Sequence, residues 1–141
     1  MTTLDKTRKS LENHALAIVC GDTAQTYNER GIKTLLSILS DTPELLRGAT
    51  VADKVVGKAA ALLMVKGKVK EVYAEVISES AIDIFRKYRI PFAYGTIAAK
   101  INNRSGTGMC PMEQTVVDID NPNNAFVALK QKQILMIKSE V

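Results

Sequence analysis

The residues best able to do chemistry lie in one stretch near the end of the chain, NNRSGTGMCPMEQTV, Asn102 to Val116. Cys110 is one of two cysteines and precedes Pro111, a residue favoured at the first position of a helix. This order predicts that Cys110 is a helix N-cap. Because a helix start favours a thiolate, Cys110 is a candidate nucleophile, redox-sensitive thiol or ligand. The alternative is that Cys110 packs as a small apolar residue.

Glu113 stands at the third position of the same predicted helix and has two interpretations. A glutamate at this position commonly bonds back to the N-cap and interacts favourably with the helix dipole. It is also placed to act as a general base beside Cys110, which makes both residues catalytic candidates. The position favours the capping interpretation.

A glycine-rich loop leads into this helix and carries a guanidinium group. Backbone N–H groups freed by glycines, together with an arginine, form cradles for anions, and loops of open α/β sheets are where ligands bind. The alternative is a simple connection in which the asparagines make turns. The candidate ligand-binding residues of the loop are Asn103, Arg104, Ser105, Gly106, Thr107 and Gly108.

A second candidate group lies in TVADKVVGKAAALLMVKG, which we predict to be one helix opened by a capping box of Thr50 and Asp53. Capping explains Asp53, and an exposed row of side chains four residues apart explains Lys54 and Lys58. Lys58 stands among alanines on a helix predicted to be buried, so it is also suited to face a pocket and hold an anion. Asp53, Lys54 and Lys58 are therefore candidate ligand-binding residues.

The composition is that of an ordinary soluble protein. The chain has 141 residues, 46% apolar and 24% charged, which suits one domain, 1–141. No apolar run approaches the roughly 18 residues of a membrane-spanning helix, and the N-terminus lacks a secretory pattern, so we expect no membrane contact and a cytoplasmic location. The lysines behind the net charge of +4 are spread along the chain, so a small anionic molecule is a better partner than nucleic acid.

The order of the predicted elements favours an α/β fold. A short helix capped by Thr3 precedes a hairpin in which Cys20 ends a buried apolar run. Strands that alternate with helices predict parallel pairing in the second half, and hence a mixed sheet in a three-layer α/β/α sandwich. The later predicted elements are helices at 32–40, 51–67, 81–89, 111–119 and 124–138 and strands at 68–78 and 92–98.

This order is similar to the cytidine-deaminase-like fold. In that fold a helix with a His or Cys and a Glu, and a helix that begins Pro-Cys-x-x-Cys, bind zinc and activate a water. The stretches DKVVGKAAALL and MCPME occupy the corresponding places here. DKVVGKAAA and GTGMCPMEQ also resemble an uncharacterised family of small prokaryotic proteins with a deaminase-like fold and no assigned function.

The zinc motifs of the deaminases are incomplete in this chain. The histidine, His14, precedes the first strand, Glu113 stands where the second motif cysteine would be, and the small-residue helix has no His-x-Glu or Cys-x-Glu. Zinc sites use three or four ligands, mostly imidazole or thiolate, so we expect no metal and no cofactor.

Three functions remain open on this sequence. The first is binding of a small anionic or nucleotide-like ligand near Cys110. The second is an enzyme in which Cys110 is a nucleophile or redox thiol, assisted by Glu113 or Lys58. The third is an interaction module that forms a homo-oligomer through the apolar last helix, FVALKQKQILMI.

Overall fold

Five strands form one mixed sheet in the computed structural model, which describes residues 2–29, 32–101 and 108–139. The strands are β1 (Leu16–Cys20), β2 (Thr23–Tyr27), β3 (Thr50–Val56), β4 (Glu71–Ser78) and β5 (Phe92–Ala98). Their order in the sheet is β2-β1-β3-β4-β5. β1 is antiparallel to both β2 and β3, whereas β3, β4 and β5 are parallel. The parallel half confirms the prediction from the alternation of strands and helices.

Helices cover both faces of this sheet. They are α1 (Thr3–Ser10), α2 (Lys33–Asp41), α3 (Lys58–Lys66), α4 (Glu79–Lys87), α5 (Pro111–Thr115) and α6 (Pro122–Ser139), with a 3₁₀ turn at Pro43–Leu45. Against one face, Leu11 packs at the end of α1 with Ala17, Ala52 and Tyr73 of the strands. Against the other face, α2, α3, α4 and α6 contribute to one larger core. These layers confirm the three-layer α/β/α architecture.

The predicted helix 51–67 is wrong in its first half, because residues 50–56 form β3. β3 lies between β1 and β4 and is bonded to both, so the valines fill a central strand. The helix begins only after Gly57, and its residues Ala59–Met64 are all buried. The predicted capping box of Thr50 and Asp53 therefore does not exist.

Two smaller predictions also need correction. Thr2, rather than Thr3, caps α1, since its side chain accepts the N–H of Asp5. Cys20 is exposed rather than buried, because it ends β1 next to the turn to β2, with its Sγ 3.7 Å from the carbonyl oxygen of Arg47.

No helix in the described part of the chain is both long and apolar enough to cross a membrane.

Candidate functional site

A cleft of two lobes lies where the parallel strands β3, β4 and β5 end. The first lobe has a volume of about 230 Å³ and is lined by residues that follow these strands and by the segment that leads through α5. The second lobe, of about 210 Å³, lies between α3, α4 and the turn after α5. Lys58 and Ser80 line both lobes. Ligands of open α/β sheets bind at this end of the strands.

Glu113 joins α5 to the start of α3. The N–H groups of Lys58 and Ala59 donate to its two carboxylate oxygens, each at 2.7 Å, and the residue is 8% exposed. These are orphan donors of the first helical turn, and the N-cap residue Gly57 has no side chain to accept them. A Cβ atom on Gly57 would overlap the Glu113 carboxylate. The glycine is therefore what allows α5 to lie across the start of α3.

The prediction that Glu113 caps its own helix is consequently wrong. The N–H of Cys110 donates instead to the carbonyl oxygen of Ile101, at 3.0 Å. Burial raises the pKa of Glu113 above its ordinary value of 4.5, while the N–H groups of Ala59 and Lys58 and the Lys58 charge oppose that rise. Since α3 engages both carboxylate oxygens, the geometry favours a structural role for Glu113 over that of a general base.

Lys58 is held at the junction of the two lobes. Its ammonium lies 2.8 Å from Oδ1 of Asp120 and donates to the carbonyl oxygen of Val117 at 3.0 Å. The hydrogen bond from Lys58 lowers the pKa of Asp120. The predicted exposed row of Lys54 and Lys58 is wrong, since Lys54 lies on β3. Lys58 does face a pocket, but its charge is largely matched by Asp120.

Lys100 and Ser80 add further polar groups to the lining of the cleft. Lys100 is exposed at the edge of the first lobe, and within the described ranges its ammonium has no hydrogen bond or ion pair. The Ser80 hydroxyl is 3.1 Å from that of Ser78, which caps α4 by accepting the N–H of Ala81. As far as the described residues show, the first lobe thus combines an unpaired ammonium group, a hydroxyl and the Glu113 carboxylate held by α3 with otherwise apolar walls.

Cys110 lies beside the cleft rather than in its wall. It is the N-cap of α5, with Pro111 as the first helical residue, as predicted, and it is half-buried. Its neighbour Met109 lines the first lobe, whereas Cys110 is not among the described residues that line either lobe. α5 has five residues, so its dipole is small.

Asp53 and Lys54 are placed away from the cleft, in the middle of β3. The Asp53 carboxylate accepts the N–H of Val55 at 3.3 Å. Loss of water around the Asp53 carboxyl raises its pKa to about 7, against the opposing effect of the N–H groups of Val55 and Lys54. Lys54 bonds the Glu12 carbonyl oxygen and pairs with Glu75, each at 3.3 Å. The geometry gives neither residue a part in a common ligand site.

The predicted anion-binding loop falls mostly outside the described residues. Gly108 is described and is half-buried. Ile101 and Met109, the described residues on either side of the loop, both line the first lobe. The remaining loop candidates, Asn103, Arg104, Ser105, Gly106 and Thr107, lie outside the described residues.

The described residues do not fit the zinc ion that a deaminase would hold. In residues 2–29, 32–101 and 108–139, no three His, Cys, Asp or Glu side chains are grouped so that they could hold a metal ion. Glu113 is engaged by α3, and Nδ1 of His14 lies 2.6 Å from the Asn28 side-chain oxygen. Zinc needs three or four such ligands, so the donor set excludes a deaminase-type centre among these residues.

Sequence reasoning missed Ser80, Lys100 and Asp120, which all line the cleft. The rule that ligands bind at the carboxyl ends of parallel strands applies to Ser80 and Lys100, which follow β4 and β5 by two residues each. Asp120 carried no comparable signal, because its partner Lys58 is distant in sequence.

Comparison with known proteins gives a family and a fold. Residues 6–133 match a family described as TM1506, domain of unknown function (DUF1893). The crystal structure of a DUF1893 family protein (TM1506) from Thermotoga maritima is similar, with a TM-score of 0.84 at 28% identity. The match covers 92% of this chain and 88% of the Thermotoga chain. No curated protein matches this chain.

Proposed function

Since this chain belongs to the DUF1893 family, whose description assigns no function, we propose from the cleft that it binds a small anionic molecule. The observation that carries the proposal is Lys100, a cation that has no ion pair among the described residues and lies on the rim of a concave site at the ends of parallel strands. We also infer a cytidine-deaminase-like fold without the zinc chemistry. A hairpin followed by alternating helices and parallel strands supports that inference.

The size of the cleft narrows the class of ligand. Pockets for drug-sized molecules have volumes of about 300–1,000 Å³. The first lobe, at about 230 Å³, is smaller. The first lobe by itself therefore suits a phosphate or carboxylate that carries a few carbon atoms. The apolar wall, which includes Ile101, Met109 and Val117, suits such a short carbon chain.

The test is stabilisation by inorganic phosphate at constant ionic strength. A ligand that binds the folded state raises its stability by mass action, by about 2.7 kcal/mol at 100 times the dissociation constant. We expect phosphate to raise the melting temperature of the wild type, and Lys100→Ala to reduce that rise. Arg104→Ala should reduce it too if the loop contributes an anion cradle.

Lys70→Ala is the matched control. Lys70 is exposed and precedes β4, so it lies at the opposite end of the strands from the cleft. The control should respond to phosphate as the wild type does. An equal rise in melting temperature with phosphate in the wild type and in Lys100→Ala would show that the cleft does not bind the anion.

The two other functions remain predictions. A catalytic Cys110 is supported by its N-cap position, but the short α5 and the engagement of Glu113 weaken that support. An oligomer is supported by α6, whose outer residues Val127, Ile134, Leu135 and Ile137 are each more than half exposed. A single helix face offers less area than the roughly 800 Å² that each partner buries in a standard interface.

A further inference from the structure

The second lobe of the cleft differs in charge from the first. Its acidic residues are Asp83 and Asp120, and its basic residues are Lys58 and Lys87. Lys58 is already 2.8 Å from Asp120. Asp83 and Lys87 are four residues apart on α4, but the Lys87 ammonium lies 5.5 Å over the Tyr88 ring. Lys87 therefore does not form an ion pair with Asp83.

Asp83 is thus a carboxylate with unused acceptor capacity. It is exposed, and within the described part of the chain it has no hydrogen bond or ion pair. Asp120 also keeps capacity, because its side chain is 60% exposed and Lys58 contacts only Oδ1. An ionised carboxylate accepts and never donates hydrogen bonds, with about four lone-pair positions. The second lobe therefore suits hydroxyl or ammonium groups.

The first lobe offers the opposite chemistry. The Lys100 ammonium has three donors and no acceptor, so it suits an anion. Lys58 and Ser80 line both lobes, so the two lobes adjoin at these residues. The wall of the first lobe is mostly apolar and includes the Glu113 carboxylate, whose two oxygens already accept the N–H groups of Lys58 and Ala59. Asp83 and Asp120 line the second lobe.

We propose that the ligand of this cleft is a small bipolar molecule. Its phosphate or carboxylate lies in the first lobe near Lys100, and its hydroxyl or ammonium group donates to Asp83 and Asp120 in the second lobe. This inference rests on the proposed function and adds to it the chemistry of the second end of the ligand.

The experiment compares three probes by isothermal titration calorimetry at fixed ionic strength and pH. Inorganic phosphate carries the anion alone, glycerol 3-phosphate adds hydroxyl donors, and phosphoethanolamine adds an ammonium group. Hydrogen bonds to a carboxylate are stronger than neutral ones, so we expect at least one of the two larger probes to bind about tenfold or more tightly than phosphate. The tighter probe identifies the donor.

Asp83→Ala should abolish the advantage of the tighter probe over phosphate. Asp22→Ala is the matched control, since Asp22 is exposed in the turn between β1 and β2, and it should keep that advantage. If phosphate binds through Lys100 but neither larger probe binds more tightly, the bipolar ligand is overturned and the proposed function stands. The bipolar ligand is likewise overturned, and the proposed function stands, if Asp83→Ala still binds the larger probe more tightly than phosphate. If no probe binds, both proposals are overturned.

Discussion

The bond between Glu113 and the start of α3 predicts a strong energetic coupling between two distant positions. Both N–H groups bind a carboxylate at 2.7 Å, and hydrogen bonds to charged groups contribute about 1.5–3 kcal/mol each. Glu113→Ala leaves both donors without that partner, although water at the cleft replaces part of the loss. We expect the variant to lose about 2–4 kcal/mol of unfolding free energy.

Glu113→Gln should lower the unfolding free energy by less than Glu113→Ala does, by about 1–3 kcal/mol. Its amide oxygen accepts one N–H, but the amide NH₂ then faces the other donor. The loss is partly offset because the buried charge, whose desolvation raises the pKa of Glu113, is also removed.

Gly57→Ala tests the same contact from the other side. The added Cβ would overlap the Glu113 carboxylate and lie 2.9 Å from Cγ1 of Ile101. We expect destabilisation in the wild type, because the carboxylate must leave the helix start. In the Glu113→Ala background that conflict is absent, so Gly57→Ala should cost less, and the coupling energy should be about 1–3 kcal/mol.

The assay is urea unfolding of the wild type, both single variants and the double variant, with the slope m checked for constancy. The control cycle replaces Gly57→Ala with Gly48→Ala. Gly48 has φ +70°, and an added Cβ would meet nothing within 4 Å, so its variant is strained by backbone conformation alone. That cycle should be additive. Additivity of the Gly57 and Glu113 changes within about 0.5 kcal/mol would refute the capping account.

Three further outcomes are expected. The raised pKa of Asp53, about 7, means that the folded state keeps this proton between about pH 4 and 7 while the unfolded chain releases it, so wild-type stability should fall across that interval. At about 1.4 kcal/mol per pKa unit, the decrease in unfolding free energy is at most about 4 kcal/mol. Urea unfolding of Asp53→Asn at several pH values should show a smaller decrease. The same decrease in the wild type and in the variant would contradict this prediction. With iodoacetamide and peptide mass analysis, exposed Cys20 should label faster than half-buried Cys110, and the reverse order would restore a reactive Cys110. The mass measured by light scattering should rise with protein concentration in the wild type but not in Ile134→Glu/Leu135→Glu. A constant monomer mass in the wild type would contradict the predicted oligomer.

Local patterns in the sequence determined most of the elements. The β-branched run of β4, the amphipathic α2 and the Pro111 start of α5 each depend on neighbours within a few residues. Such signals are contained in the chain segment itself. The three-layer architecture followed from their order, because parallel strands need crossover connections.

Tertiary structure decided the centre of the sheet and the cleft. Residues 50–56 contain the β-branched residues Thr50, Val51, Val55 and Val56, which favour a strand. The alanine-rich helix that follows masked this signal, and the pairing with β1 and β4 makes the segment a central strand. The partner of Glu113 is the first turn of a helix 55 residues earlier, and Lys58 meets Asp120 across a similar separation. No local periodicity encodes a contact between groups so far apart in the chain. Such contacts arise only when the packed sheet brings the starts of α3, α4 and α5 to one edge.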